Sequence, residues 1–354
     1  MTAPTSFGLG FFLRVAVPGV VALLLVLPLL PDSVPIRFDT VGLTTIGVLS
    51  AGGGLILLLL DSVIYQVFEG RTLWPSKVRD KRTRRLQDRL NALWRTIGQL
   101  QRQMNLPGQT DDDKRTLKQK LAFLYDRALN FPFFRQDKRP HAIWPTRFGN
   151  VMASYEYYPQ ERYGMDSAFY WYRIWLILPD DTRKEYDNSW SLGQVWLYIS
   201  AASAAAVLLY CALTIWWLLI WRVSGVVASI PDDPMHRLIV SLTLPKPGQR
   251  LFTFIGAQLG AWDLRIPLLF IVIALASAIL SKIAYEVATL QHRISGEYFK
   301  SLFDLYRQDI EVRQAPSAAE IEDWWDAYFF LQYFRGSHAL GRRKVRTGND
   351  QAWP

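Results

Sequence analysis

Residues 11–30, FFLRVAVPGVVALLLVLPLL, form an apolar stretch that is interrupted by a single charge, Arg14. A helix needs roughly 20 apolar residues to cross the hydrocarbon core of a bilayer, so this stretch is long enough to span one. Similar stretches occur at 41–60, 195–221 and 266–290. The pattern predicts a mainly α polytopic membrane protein with about four transmembrane helices and a helical cytoplasmic domain.

The composition of the 354-residue chain suits a membrane protein and argues against several other classes. Its 14 Trp residues favour a protein with two membrane–water interfaces, where tryptophan is enriched. The only cysteine is Cys211, so the chain can form neither an internal disulfide nor a cysteine metal cluster. None of the HExxH, CxxC, GxxxxGK(S/T) or GxSxG patterns is present. We therefore predict no catalytic residue, no metal, no cofactor and no enzymatic activity.

Basic residues set the expected orientation. Residues 71–95 directly follow the second apolar stretch and contain nine Lys or Arg against two Asp. Because basic loops stay on the cytoplasmic side, this segment and both termini are predicted to be cytoplasmic. The predicted parts are an N-terminal transmembrane hairpin (1–70), a cytoplasmic helical domain (71–192), a C-terminal transmembrane pair (193–290) with a long outer loop at 223–265, and cytoplasmic C-terminal helices (291–354).

Two amphipathic helices are predicted in the cytoplasmic part. Residues 77–104 place apolar side chains at alternating spacings of four and three, which is a heptad seam. Thr110 followed by three aspartates is a favourable helix start, and the short break between the helices predicts an antiparallel hairpin. The seam either binds the two helices to each other or meets another subunit. Its residues are Leu86, Leu90, Leu93, Ile97, Leu100 and Met104, then Leu117, Leu121, Leu124 and Ala128.

The polar and aromatic region at 131–191 contains the residues best suited to bind a ligand. Arginine forks bind phosphate and aromatic faces stack on bases, so a nucleotide-like or phosphate-bearing ligand is one expectation. The other is an arginine–carboxylate network that holds an irregular segment in place. No glycine-rich phosphate loop accompanies the set. The candidate anion-binding residues are Arg147, Asn150, Tyr158, Arg162, Tyr163, Asp166, Trp171 and Arg173.

Three short motifs lie in this region, PTRFGN at 145–150, YGMD at 163–166 and WYRIW at 171–175. They resemble the PTRxGN…YGxD…WxRxW pattern of an uncharacterised family of bacterial multi-pass inner-membrane proteins. The resemblance extends over about residues 70–335. It implies a bacterial inner-membrane location and carries no assigned activity.

Four charged residues lie within or beside the predicted spans. Arg14 and Asp61 come at the cytoplasmic ends of the first two spans and at similar depth. We expect either an ion pair between them or separate snorkelling toward the headgroups. Lys282 and Glu286 are four residues apart, which is the spacing of an intrahelical ion pair; the alternative is that they line a pore.

The leading functional hypothesis is a non-enzymatic oligomeric membrane protein that couples the basic, aromatic cytoplasmic domain to a membrane core. A ligand-gated channel or a membrane-disrupting effector is its concrete form. Small residues at 47–54 and 200–206 favour close helix packing within or between subunits. The expected partners are the lipid bilayer, further copies of the chain and the phosphate-bearing ligand. The alternative is a structural or assembly scaffold that joins other protein subunits in a larger membrane complex.

Overall fold

The computed structural model describes residues 9–30, 39–128, 130–132, 143–227 and 265–311. Over these ranges the chain is mainly helical and contains no β-strand. Most of the predicted outer loop and the predicted C-terminal helices beyond position 311 lie outside the described residues.

Ten α-helices make up the described part of the chain. The third and fourth apolar stretches belong to helices of 48 and 47 residues, which extend well beyond the predicted spans. The helices are α1 (Leu9–Val26), α2 (Thr40–Leu59), α3 (Asp61–Glu69), α4 (Ser76–Met104), α5 (Asp111–Ala128), α6 (Arg147–Glu156), α7 (Tyr158–Tyr163), α8 (Ser167–Ile177), α9 (Asp180–Val227) and α10 (Arg265–Glu311).

The helices form two compact units, each assembled from two separate parts of the chain. The first, here called the apolar unit, comprises Met1–Leu60 and Ser191–Ala288. The second, the polar unit, comprises Asp61–Trp190 and Thr289–Pro354. Because α9 and α10 are continuous across these boundaries, each contributes residues to both units.

Four of the described helices, α1, α2, α9 and α10, are long and apolar enough to cross a membrane. Their most apolar windows have mean hydropathies between 1.9 and 2.3, and only 17% to 22% of each window is buried inside the protein. Their leucine, isoleucine and valine side chains therefore lie largely on the outside. A water-soluble protein rarely exposes apolar surface on this scale, so the helices suit a helical membrane protein.

Hydroxyl groups are buried at the helix contacts of the apolar unit. Ser200 and Ser281 bond reciprocally, since each hydroxyl donates to the other residue's backbone carbonyl, at 2.9 and 3.0 Å. The Tyr210 hydroxyl donates to the Leu25 carbonyl at 2.7 Å. These bonds join α9 to α10 and to α1. Polar groups inside a bundle and apolar groups outside it are the arrangement that a lipid environment requires.

Glycine allows α1 and α2 to pack with their backbones in contact. A Cβ atom on Gly19 would lie 1.8 Å from the backbone oxygen of Ser50. One on Gly54 would lie 2.0 Å from the backbone oxygen of Val15. Real Cβ atoms do not approach other atoms so closely, so any other residue at these two positions would push the helices apart.

The predicted helical hairpin of α4 and α5 is confirmed, since the two helices pack against each other. Thr110 caps α5, because its hydroxyl accepts a hydrogen bond from the Asp113 amide at 3.2 Å. The heptad seam is the buried face: Leu90 and Ile97 are 1% exposed and Leu121 is 6% exposed. The seam is thus used within the chain, which favours packing between the two helices over contact with another subunit.

An ion pair connects α5 to α10 in the polar unit. Arg293 Nη1 donates to Asp126 Oδ2 at 3.3 Å, and Arg293 Nη2 forms a second, shorter bond to Oδ1. The hydrogen bond from the arginine lowers the pKa of the Asp126 carboxyl below its ordinary value.

Acidification should weaken this connection. Because the folded-state pKa of Asp126 is depressed, the pair stabilises the fold at neutral pH. That contribution is lost as the pH falls from about 4 through the lowered pKa. The Asp126 side chain is 55% exposed. We therefore expect a loss of less than about 1 kcal/mol. The measurement is amide protection in α5 at neutral and acidic pH, where Asp126→Asn should show a smaller pH dependence than the wild type. Equal pH dependence in both proteins would contradict the prediction.

Candidate functional site

The PTRFGN motif builds the start of α6. Thr146 caps the helix by accepting a hydrogen bond from the Gly149 amide at 2.9 Å. The Asn150 side chain is completely buried and bonds only to backbone in the described structure. It accepts from the Trp144 amide at 2.9 Å and donates to the carbonyls of Trp144 at 2.8 Å and Thr146 at 2.7 Å. Asn150 therefore closes the turn before α6 and does not face a ligand.

The YGMD motif joins two short helices. Gly164 ends α7 in the left-handed conformation, with φ +71°, which glycine adopts without a steric penalty. Asp166 then caps α8, because its carboxylate accepts from the amides of Ala168 at 3.0 Å and Phe169 at 3.1 Å. This motif is likewise explained by helix ends.

Two further predicted ligand residues pack inside the fold. Arg173 lies 3.7 Å above the Phe169 ring and donates to the Phe169 carbonyl at 2.9 Å. The Trp171 ring lies 4.7 Å from that of Phe299 and 5.0 Å from that of Tyr186. Both residues therefore stabilise the aromatic core. Arg147 lies exposed in the first turn of α6.

Three of the predicted ligand residues do come together, at α7. Tyr158 donates to both Asp304 oxygens, at 2.8 and 3.0 Å, and Tyr163 donates to Oδ1 of the same carboxylate. The Arg162 guanidinium lies 5.7 Å from each tyrosine ring. Asp304 belongs to α10, so a tertiary contact organises this group.

Helix α10 adds two more cations to this group. Arg307 lies 4.0 Å above the Tyr163 ring, and Lys300 Nζ lies 5.6 Å from the Tyr158 ring. Lys300 also forms an ion pair with Glu297 at 2.8 Å. We call the whole group the tyrosine patch; it comprises Tyr158, Arg162, Tyr163, Lys300, Asp304 and Arg307.

The tyrosine patch combines two phenol rings with three cations around the Asp304 carboxylate, and its binding of an anionic ligand stays a prediction. Burial and the hydrogen bond to Asp304 raise the pKa of Tyr158 well above its ordinary value, so its phenol stays protonated. Together with Glu297, the patch has three cations (Arg162, Lys300 and Arg307) and two carboxylates (Asp304 and Glu297), so one positive charge remains in excess. Guanidinium groups beside aromatic rings can bind phosphate and stack on a planar ligand.

A buried aromatic cluster around His292 is a feature that sequence reasoning missed. His292 is completely buried, and its Nε2 lies 2.7 Å from the Tyr65 hydroxyl. The rings of Phe148 and Trp190 each lie 5.0 Å from the imidazole, edge to face. The cluster joins α3, α6, α9 and α10, and thus forms the centre of the polar unit.

The signal that could have revealed this cluster is helical spacing. His292, Ser295 and Phe299 follow one another at three and four residues, and all three are buried on one face of α10. The histidines are scattered in the sequence and have no metal-ligand spacing, so none of them attracted a functional prediction.

Three of the four charged residues of the predicted spans have partners within the apolar unit. Arg14 Nε donates to the Ser191 hydroxyl at 2.8 Å. Asp61 begins α3, and an ion pair between it and Arg14 stays a prediction. Lys282 and Glu286 form the predicted intrahelical ion pair on α10, with side chains 68% and 40% exposed.

Metal ligation finds no support in the described part of the chain, where no three His, Cys, Asp or Glu side chains are grouped to hold an ion. Comparison of the chain with protein-family models, with curated proteins and with solved structures finds no match.

Proposed function

We propose that this chain is a non-enzymatic, oligomeric protein of the bacterial inner membrane that couples a ligand-binding cytoplasmic part to a membrane core. A ligand-gated channel or a membrane-disrupting effector is the concrete form. The observation that carries the proposal is the inverted polarity of the apolar unit. Leu59 and Leu208 are 84% and 74% exposed, whereas Ser200 and Ser203 are completely buried. Lipid accommodates the exposed leucines, and packed helices shelter the serines.

The charge of α4 supports the proposed orientation. Its nine Lys and Arg residues follow the second apolar helix closely in the chain, and only two Asp residues oppose them. By the positive-inside rule we assign α4 and both termini to the cytoplasm.

The continuity of α10 supports the proposed coupling. Three residues of the tyrosine patch, Lys300, Asp304 and Arg307, belong to this helix. The same helix contributes Ser281 to the apolar unit. A ligand that contacts the patch thus binds an element that also forms part of the proposed membrane core.

The expected ligand is nucleotide-like or carries phosphate. Replacing Arg162 and Arg307 with alanine together should weaken binding of a nucleoside triphosphate by at least about tenfold, because each charge-assisted hydrogen bond contributes roughly 1.5–3 kcal/mol. Calorimetric titration of the solubilised protein measures this. The matched control is Arg102→Ala with Arg115→Ala on the hairpin, which should bind as the wild type does. Equal affinity in all three proteins would contradict a ligand site at the patch.

The assembly state distinguishes the leading proposal from its alternative. Native mass spectrometry of the nanodisc-embedded protein should show a homo-oligomer. Liposomes that contain the protein should release a trapped dye when the nucleotide is added. A monomer that releases nothing would contradict the proposal. A particle that holds other polypeptides in fixed ratio would favour an assembly scaffold instead.

A further inference from the structure

The first part of α4 is highly charged and largely exposed in the part of the chain that the structure describes. Among residues 76–85, only Thr83 is partly buried, and the buried seam begins after them at Leu86. Helix α5 is shorter than α4, with 18 residues against 29, so it cannot cover the whole of α4. We call residues 73–85 the basic arm.

The basic arm carries six cations and one acid. Its only ion pair within the described structure is the weak one between Arg79 and Asp80, at 3.8 Å. The cations are Lys77, Arg79, Lys81, Arg82, Arg84 and Arg85.

Helix stability does not account for these charges. The N-terminus of a helix carries a partial positive charge, so acidic residues stabilise it and basic residues do not. Helix α4 has no acidic residue in its first turn, and Pro75 at its N-cap makes no side-chain capping bond. A negatively charged partner outside the chain would account for the cations.

Two exposed apolar groups at the base of the arm indicate what that partner is. Leu73 is 83% exposed and has φ +61°, a left-handed conformation that leucine rarely adopts. Val78 is 43% exposed, and Arg82 lies 4.9 Å above the ring of Trp74. Trp74 is partly buried, since its ring N–H donates to the Val67 carbonyl at 2.9 Å. Exposed leucine and valine beside lysine and arginine fit the boundary between headgroups and acyl chains. A nucleic acid backbone would use the cations and leave the leucine in water.

We propose that the basic arm binds the headgroups of anionic phospholipids, with Leu73 inserted at the boundary of the acyl chains. Along the chain, the arm begins at residue 73 and α2 ends at Leu59. Clusters of basic residues that closely follow a transmembrane helix in the chain attract anionic lipid. The inference rests on the proposed membrane embedding.

The test uses the full-length protein in nanodiscs of phosphatidylcholine alone or with phosphatidylglycerol. A spin label is attached to Val78→Cys in a Cys211→Ser background. Its accessibility to a water-soluble relaxation agent should be lower in the anionic bilayer than in the neutral one, and added salt should reduce the difference. In the triple variant Lys81→Gln, Arg84→Gln, Arg85→Gln, the accessibility of the label should be the same in both bilayers. The reason is that each lost cation weakens lipid binding about fivefold.

The matched charge control is Lys114→Gln, Lys118→Gln, Lys120→Gln on α5, which should keep the difference. The native Cys211, exposed on α9, reports on embedding independently. In one outcome, the label at Cys211 contacts lipid and the label at residue 78 has the same accessibility in both bilayers. That outcome would overturn this inference and leave the proposed embedding intact. A Cys211 label in water would overturn the embedding itself. A third outcome would identify nucleic acid as the partner in place of lipid. In it, the wild-type protein in neutral nanodiscs binds an oligonucleotide, and the Lys81→Gln, Arg84→Gln, Arg85→Gln variant does not.

Discussion

Replacing Gly54 with leucine should disrupt the packing of α1 against α2. The new Cβ would start 2.0 Å from the Val15 carbonyl oxygen, and the atom it meets is backbone, which cannot rotate away. Overpacking of a tight contact costs roughly 1–3 kcal/mol, and we expect at least the upper figure here because both helices must separate. Gly19→Leu should have a similar effect, since its Cβ would lie 1.8 Å from the Ser50 oxygen.

The matched control is Gly47→Leu on the same helix. A Cβ at Gly47 has no atom within 4 Å, and the position is exposed, so a leucine there adds one more apolar side chain to an apolar surface. Thermal unfolding of the solubilised protein, followed by tryptophan fluorescence, should show a lower midpoint for Gly54→Leu and an unchanged one for Gly47→Leu. Equal midpoints would mean that α1 and α2 do not pack in this way.

Replacing Asn150 with alanine should destabilise the polar unit strongly. The change removes the side-chain partner of the partly buried Trp144 amide and carbonyl, while the Thr146 carbonyl keeps its bond from the Asn150 amide at 3.2 Å. An unsatisfied buried group costs about 1–3 kcal/mol, so the loss of both partners should lower the stability by roughly 2–6 kcal/mol. Asn150→Asp keeps the shape but turns a donor toward two carbonyls into an acceptor, and we expect a similar loss.

Asn91 provides the control for this substitution. It is exposed on α4, where it accepts a hydrogen bond from Gln87 at 3.1 Å. Asn91→Ala should change stability by less than about 0.5 kcal/mol. Denaturant unfolding and amide exchange in α6 would measure both variants. If Asn150→Ala retained wild-type protection of α6, the turn would not depend on this side chain.

The apolar helices and the hairpin could be predicted from the sequence because their signals are local. The alternation of four and three that includes Leu90 and Ile97 marks one face of a helix regardless of what covers it. Thr110 marks a helix start by its own hydrogen bond. Such features depend on neighbours a few residues away, and the structure has them where the pattern indicates.

The candidate site could be predicted only in part. Asn150 and Asp166 look like ligand-binding residues in a sequence, because the groups that cap a helix or close a turn are the same groups that bind a ligand. Arg162, Tyr158 and Tyr163 are close in the chain and lie together in the structure, whereas their binding of a ligand stays a prediction. Their partner Asp304 lies 141 residues beyond Tyr163, and no local pattern connects them.

The His292 cluster constrains how this protein can be made in a cell. Its imidazole meets the Tyr65 hydroxyl across 227 residues of chain, and the other two rings come from α6 and α9. During synthesis the core of the polar unit therefore stays open until α10 has left the ribosome. A chain that stops before α10 would present the aromatic side chains of Tyr65, Phe148 and Trp190 to chaperones and proteases. Because each unit is built from two separate segments, no single cut of the chain separates one unit from the other.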